Sequence, residues 1–155
     1  MERILEMPAQ LAPAGETPSG QLVSDAAQEE TVEISPFVNH AYQTFYFAFI
    51  AFFAIFGIDK FLHLLTNWDQ YVAPQFMSLT SFHGQFLTMF AGFVEVLLAV
   101  CVAIRPRAAA WLVAGWFVFV SFNLVLHGGM FDLAVMNAFL AVVSISFGFL
   151  AQECN

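Results

Sequence analysis

Charge is scarce in this sequence, and basic charge is scarcest of all. Four Lys and Arg residues stand against twelve Asp and Glu residues, which gives a formal net charge of -8 at pH 7. Nucleic acids and anionic lipid headgroups are bound by basic surfaces, so this balance argues against both as partners. Only 10% of the chain is charged, whereas 60% is hydrophobic and the mean hydropathy is +0.76. Soluble domains carry far more charge, so we predict an integral membrane protein.

Cysteine is also rare. The two cysteines, Cys101 and Cys154, belong to no ligand pattern such as CxxC, and the zinc motif HExxH is missing as well. We therefore predict two free thiols, and the sequence carries no recognisable metal motif.

Long apolar stretches, in contrast, are plentiful, and four of them could cross a bilayer. A helix of about 20 residues rises about 30 Å, which is the thickness of the hydrocarbon core. The predicted spans are residues 41–65, 83–104, 108–127 and 131–151. The predicted fold class is therefore all-α, an integral membrane four-helix bundle.

Residues 1–40 differ in composition from the rest of the chain. They hold seven of the twelve acidic residues and four of the six prolines. An acidic, Pro-containing segment with few large apolar residues is not expected to fold alone. We predict an N-terminal tail that is disordered by itself. It is either a passive extension or a segment that docks on the cytoplasmic-side surface of another membrane protein subunit.

The few basic residues predict an orientation. Arg105 and Arg107 lie in the short turn between the second and third spans, and no other connector has more than one Lys or Arg. The positive-inside rule assigns this turn to the cytoplasm, although Lys60 counts against that assignment. Both termini are then cytoplasmic, and the chain is expected in the cell (inner) membrane as a multi-pass protein.

Glu95 interrupts the otherwise uncharged run of the second span near its middle. A charged carboxylate facing lipid there costs about 2.5–3.5 kcal/mol, so Glu95 is expected to face another helix. Counting residues from the span ends places Trp116 and Ser144 at the same depth, and both are hydrogen-bond donors. Glu95 is either a buried carboxyl that fixes helix register or a proton-relay or ligand-binding acid.

Small residues mark the faces on which helices are expected to pack. In the first span Ala48, Ala51, Ala54 and Gly57 recur every three residues. The stripe of the fourth span comprises Ala134, Asn137, Ala141, Ser144 and Gly148. The stripe that shares a face with Glu95 comprises Gly84, Thr88, Ala91, Ala99 and Val102. The last two stripes are predicted to meet, because small side chains allow close approach.

The connector between the first two spans, residues 66–81, contains Trp68 and Tyr71 beside Asp69 and Pro74. Aromatic residues favour the headgroup level of a membrane, which predicts a segment lying on the membrane surface. A short re-entrant or half-helix over residues 76–82 is the alternative.

Polar residues from all four spans gather at the connector end of the bundle, opposite the Arg105 turn. They are Asp59, Lys60, His63, Asp69, His83, Asn123, His127 and Asp132. Such residues often simply border water. They could instead ligate a metal, hold a haem between facing histidines, or hydrogen-bond the head of a quinone or lipid. The sequence does not show whether the three histidines converge.

The order of these features resembles that of the DoxX-like four-helix membrane proteins. The resemblance rests on GIDKFLHLLTNWDQY at the end of the first span, HGQFLTMFAGFVEVLLAV in the second, RPRAAAW in the turn and NLVLHGGMFDLAV before the fourth. It covers residues 41–151 and leaves the tail unmatched. It implies a small partner of a redox system, in a family associated with a quinol oxidase and thiosulfate:quinone chemistry. Glu95, Lys60 and His83 match recurring polar positions, but no catalytic residue is implied.

These observations predict a small accessory or structural subunit of a larger membrane complex, respiratory or quinone-linked. The alternative is a small membrane redox or ligand-binding enzyme that uses a quinone, haem or metal at the polar end, with Glu95. We assign no catalytic residue from the sequence.

Overall fold

The described part of the protein consists of helices joined by short segments. A computed structural model describes residues 36–80 and 82–154, and no strand occurs among them. The elements are α1 (Pro36–Leu62), a 3-10 helix (Trp68–Tyr71), α2 (Pro74–Thr80), α3 (Gly84–Ile104), α4 (Pro106–His127) and α5 (Phe131–Cys154). The predicted all-α class is confirmed.

Four of these helices, α1, α3, α4 and α5, are long and apolar enough to cross a membrane. Only 28–33% of the most hydropathic window of each is buried inside the protein. Their outward positions carry large apolar side chains, among them Phe47, Phe93 and Phe139. Exposure of so much aromatic surface is unfavourable for a monomer in water but favourable in lipid. The prediction of a multi-pass membrane bundle is therefore confirmed.

The helix ends differ from the predicted ones for local reasons. Helix α1 begins at Pro36, five residues before the predicted start, because proline suits the first helical position and the following residues are uncharged. It stops at Leu62 rather than at residue 65, because His63 adopts a positive φ of 53°. Most of the predicted tail, residues 1–35 of 1–40, lies outside the described residues.

The remaining spans have clear start and stop signals. Arg105 alone separates α3 from α4, and Pro106 opens α4 at the position where its missing N–H costs nothing. Gly128 ends α4 with a φ of 81°, a left-handed conformation that glycine adopts without steric cost. Helix α5 runs to Cys154, three residues beyond the predicted end.

The bundle is built from two helix pairs, α1 on α3 and α4 on α5, with fewer contacts between the pairs. Aromatic rings from three helices fill the centre: Phe49, Phe53, Phe117 and Phe147 are all buried. The ring centroids of Phe49 and Phe147 lie 5.3 Å apart, and those of Phe53 and Phe117 lie 5.4 Å apart. The α1–α3 pair therefore joins the α4–α5 pair through an aromatic core.

The prediction that the small-residue stripes of α3 and α5 meet is wrong. The stripe of α5 is buried, but it faces α4: a Cβ at Gly148 would lie 3.2 Å from the Cβ of Ala110. The stripe of α3 faces α1 instead, because Gly57 and Gly92 let the backbones of these two helices approach closely. In α1 itself, Gly57 is buried and Ala54 packs against the core, whereas Ala48 and Ala51 are exposed. The predicted stripe therefore serves internal packing only in its C-terminal half.

Candidate functional site

The closest contact between α1 and α3 is made by two glycines. A Cβ at Gly92 would lie 2.8 Å from the carbonyl oxygen of Gly57 and 2.8 Å from the Cβ of Lys60. A Cβ at Gly57 would meet Val96 at 2.9 Å. Cβ atoms do not approach other atoms this closely, so both positions require glycine. This approach brings Lys60 within reach of Glu95.

Lys60 and Glu95 form a buried ion pair. The Lys60 Nζ donates to Glu95 Oε2 over 2.6 Å, and the side chains are only 10% and 8% exposed. Helical side chains tilt towards the N-terminus of their own helix, and α1 and α3 are antiparallel. Lys60 therefore tilts into the bundle and Glu95 tilts towards the connector, so the two charges meet between the levels of their Cα atoms.

Trp116 on α4 completes the environment of Glu95. Its indole Nε1 donates to Glu95 Oε1 over 3.3 Å, which confirms one predicted partner. The other prediction is wrong, since Ser144 Oγ donates to the carbonyl of Leu140 over 2.7 Å. Helix α5 turns Ser144 towards α4 rather than α3, so its hydroxyl bonds back to its own helix.

The connector covers the ion pair with Trp68. The Lys60 Nζ lies 3.9 Å from the centroid of the Trp68 ring, within the range of a cation–π interaction. The indole Nε1 of the same residue donates to Asp59 Oδ2 over 2.6 Å. One indole thus contacts both the ammonium of Lys60 and the carboxylate of Asp59.

Asp59 joins the end of α1 to the connector. Besides Trp68, its Oδ1 accepts the backbone N–H groups of Leu64 and Leu65, each over 2.9 Å. These N–H groups would otherwise lack a helical partner, because the positive φ of His63 breaks the helix. Asp59 is only 4% exposed, and three donors satisfy its carboxylate.

Asn123 fixes the other side of the connector. Its Oδ1 accepts the N–H of Ala73 over 3.0 Å, and its Nδ2 donates to the carbonyl of Tyr71 over 2.7 Å. Ala73 is fully buried at this contact. The connector therefore packs on the bundle through Trp68 and Ala73, and α2 occupies the segment for which a half-helix was the alternative.

The predicted polar residues lie at one end of the bundle but do not form one cluster. His63 Nε2 lies 3.8 Å from Asp69 Oδ1, which is beyond hydrogen-bond distance. His83 and Asp132 are exposed, and His127 is half-buried with no partner for its Nδ1 in the described part of the chain. Across residues 36–80 and 82–154, no group of three or more His, Cys, Asp and Glu side chains lies close enough to hold a metal ion.

Sequence reasoning placed Lys60 among the polar residues but missed its pairing with Glu95, and it missed Gly92 entirely. A signal was present: Gly57 precedes Lys60 by three residues, and Gly92 precedes Glu95 by three residues. Each glycine therefore shares a face with one charge, and the two charges are opposite in sign. Equal spacings of this kind on two apolar helices indicate a close crossing beside an ion pair.

Comparison of the chain with protein-family models, with curated proteins and with solved structures gave no match. The resemblance to DoxX-like proteins stays a prediction. Asp59, Lys60, Trp68, Glu95 and Trp116 form a buried network that links α1, the connector, α3 and α4, and this network can hold helices together and hold charge inside an apolar bundle.

Proposed function

We propose that this protein is a small, non-catalytic subunit that packs by its transmembrane helices against a larger membrane complex. The observation that carries the proposal is the placement of the small residues. Gly57, Gly92 and Gly148 are used inside the bundle, whereas Ala48, Ala51 and Gly115 face outward in the middle of long helices.

Gly115 is the clearest of these outward positions. No atom lies within 4 Å of the place where its Cβ would be, so internal packing does not require glycine there. Glycine in a helix interior costs about 1 kcal/mol relative to alanine. Small residues on a lipid-facing helix let the backbone of a neighbouring helix approach closely, which accounts for glycine at this position.

The buried network supports the same proposal. The charges of Lys60 and Glu95 are directed at each other and at Trp116 rather than at an open cleft. A groove of about 190 Å³ on the outer surface is lined by apolar residues of α1, α4 and α5, including Ala48, Phe49 and Leu140. Its lining offers no group for acid–base or redox chemistry, and it suits an apolar side chain of a neighbouring helix.

The resemblance to DoxX-like proteins leads us to place the host complex in a respiratory or quinone-linked system of the cell (inner) membrane. The positive-inside rule then puts the Arg105 turn and both termini in the cytoplasm. In this arrangement residues 1–35 reach a cytoplasmic-side surface of the complex, and their acidic composition suits a basic docking surface.

Purification in mild detergent from the native membrane tests this function. We expect stoichiometric membrane subunits to co-purify with the full-length chain, and Ala51→Leu to weaken their retention by blocking close helix approach. Val135→Leu is the matched control, since Val135 is exposed on α5 and already branched. If the chain instead purifies alone with a Soret band, a stoichiometric metal or a bound quinone, the alternative of a small redox or ligand-binding enzyme is favoured.

Deletion of residues 1–33 tests the docking of the tail separately. The deleted chain should still insert, because all four spans lie beyond residue 35. Its retention by the co-purifying subunits should fall, and fall further as salt is raised, since ionic contacts are screened. Equal retention of the deleted and full-length chains at every salt concentration would make the tail a passive extension.

A further inference from the structure

The buried network at the connector end carries an unequal number of charges. Asp59, Lys60 and Glu95 are 4%, 8% and 6% exposed, and Trp68 contacts both Asp59 and Lys60. Two carboxylates and one ammonium give a net charge of -1 when all three are ionised. A net charge inside an apolar bundle is costly, and one added proton would bring it to zero.

The two carboxylates are not equivalent acceptors for that proton. Asp59 already accepts three N–H groups, from Leu64, Leu65 and Trp68, and these donors stabilise its ionised form. Glu95 accepts one short bond from Lys60 and one longer bond from Trp116. Glu95 has one donor fewer than Asp59 and lies nearer the middle of its helix, which favours Glu95 as the acceptor of the added proton although the ammonium of Lys60 opposes it.

A buried hydroxyl without a hydrogen-bond partner lies between Glu95 and the connector end. Thr88 lies on the same face of α3 as Glu95, two turns nearer the connector, and it is 2% exposed with no partner for its Oγ1 in the described part of the chain. Gly84, one turn further along that face, lies against Asp69, whose Oδ1 is also buried and without a hydrogen bond. Thr88 thus lies between the connector and the ion pair.

The opposite side of Glu95 is apolar. The buried residues of α3 beyond it are Leu98, Ala99 and Val102, and they pack in the aromatic core with Phe49 and Phe53. Tyr42, Tyr46 and Cys101 pack against this core, and the hydroxyl of Tyr46 already donates to the carbonyl of Ala103 over 3.0 Å. Along the face of α3 that carries Glu95, the buried hydroxyl of Thr88 lies on the connector side, and Leu98, Ala99 and Val102 lie on the other side.

We infer that Asp59, Lys60 and Glu95 form a one-proton binding site that exchanges with water at the connector side of the membrane. A hydronium ion at the His63–Asp69 entrance gives up a proton and is left as water, transient water hydrogen-bonded to Thr88 Oγ1 carries the proton across the two helical turns to Glu95, and a new O–H bond forms on Glu95. Lys60 keeps its three protons and then balances Asp59. The cluster thus changes from a charge of -1 to zero without any redox step. The inference concerns the isolated chain and does not depend on a partner.

Other titratable side chains at this end have to be distinguished from Glu95. They are His63 on α1, Asp69 and Tyr71 on the connector, His83 before α3, His127 on α4 and Asp132 on α5. His83 and Asp132 are exposed, and the side chains of His63 and Asp69 are 28% and 34% exposed. None of these six side chains is buried as Asp59, Lys60 and Glu95 are, and the loss of a band in Glu95→Gln distinguishes the buried site from them.

Time-resolved infrared spectroscopy of the full-length chain, oriented in liposomes, tests the inference. Acidifying the connector side should produce a carboxylic C=O band that Glu95→Gln lacks, whereas acidifying the other side should not. Glu95→Asp, which keeps the carboxyl group, should give a shifted band and secures the assignment if Glu95→Gln does not insert. Equal rates from the two sides, or no such band at any pH at which the bundle stays folded, would overturn the inference.

The route is tested by removing one hydroxyl. Thr88→Val keeps the shape of the side chain and should slow appearance of the band several-fold, with the same final amplitude. Thr44→Val is the matched control, because Thr44 is exposed on α1 and bonds only to the carbonyl of His40. Asp69→Asn at the entrance should also slow the band if Thr88→Val does not fold. Unchanged rates in the Thr88 and Asp69 variants would show that the route is wrong.

Discussion

At the scale of single residues, the bundle depends on Lys60 and Glu95 being buried together. Neither charge has access to bulk water, so removing one leaves the other unpaired in an apolar interior. Glu95 would keep only the indole of Trp116, and Lys60 would keep only the ring of Trp68. Removing one partner should therefore cost far more stability than the intact pair contributes to it.

A double-mutant cycle measures this coupling. Lys60→Met and Glu95→Leu should each lower the free energy of unfolding by about 3–5 kcal/mol, the cost of breaking a buried pair. The double variant should lose much less than the sum, because neither member of the pair is then left without the other. Unfolding in detergent with increasing denaturant gives the three values. Additive losses would mean that the two side chains act independently.

At the scale of helices, glycine has opposite roles at two mid-helix positions. A Cβ at Gly92 would lie 2.8 Å from atoms of α1, whereas a Cβ at Gly115 would have no atom within 4 Å. Substitution by alanine should therefore separate α1 from α3 at Gly92 and only improve helix propensity at Gly115. The two helices are of similar length, 21 and 22 residues.

Gly92→Ala should destabilise the isolated protein and weaken the Lys60–Glu95 contact, because the backbones of α1 and α3 must move apart. Gly115→Ala should be neutral or stabilise by up to about 1 kcal/mol, the propensity difference between the two residues. Thermal unfolding in detergent measures both variants side by side. A similar melting temperature for the two would contradict the close α1–α3 contact.

The four spans could be predicted because hydropathy is a property of contiguous sequence, and the partnership of Trp116 with Glu95 followed from depth alone. Helix pairing is not local. From the sequence alone, the α3 stripe that includes Thr88 could face any of three helices. It faces α1 because Gly57 and Gly92, which lie 35 residues apart, allow close approach. The contact between Lys60 and Glu95 was not predicted either, because the Cα of Lys60 lies near the end of α1 whereas its Nζ lies beside Glu95.

At the scale of the whole molecule, the connector joins the two helix pairs. Trp68 bonds to Asp59 on α1, and Asn123 on α4 bonds to both sides of the peptide segment between Tyr71 and Ala73. The connector end is therefore fixed to both pairs, whereas at the opposite end Arg105 alone separates two helices. The two ends of the bundle differ in both chemistry and construction.

The two ends of the bundle are expected on opposite sides of the membrane, which predicts a labelling pattern in intact cells. With Cys101 and Cys154 replaced by Ser, Gln75→Cys on α2 should react with an impermeant thiol reagent added outside. Ala108→Cys, beside Arg107, should be protected until the membrane is opened. Both positions are exposed on the protein, so side rather than burial decides the result. Labelling only at Ala108→Cys would reverse the orientation given by the positive-inside rule.

The Lys60–Glu95 pair also bears on how the chain is made. The two residues are 35 positions apart, so the ribosome delivers Lys60 to the membrane well before its counter-ion. During that interval the long side chain of Lys60 can extend to the water boundary near the end of α1, which avoids burying an unpaired ammonium. Arrival of α3 then withdraws Lys60 inward. Insertion of the second span is thus the event that fixes the final depth of the Lys60 side chain.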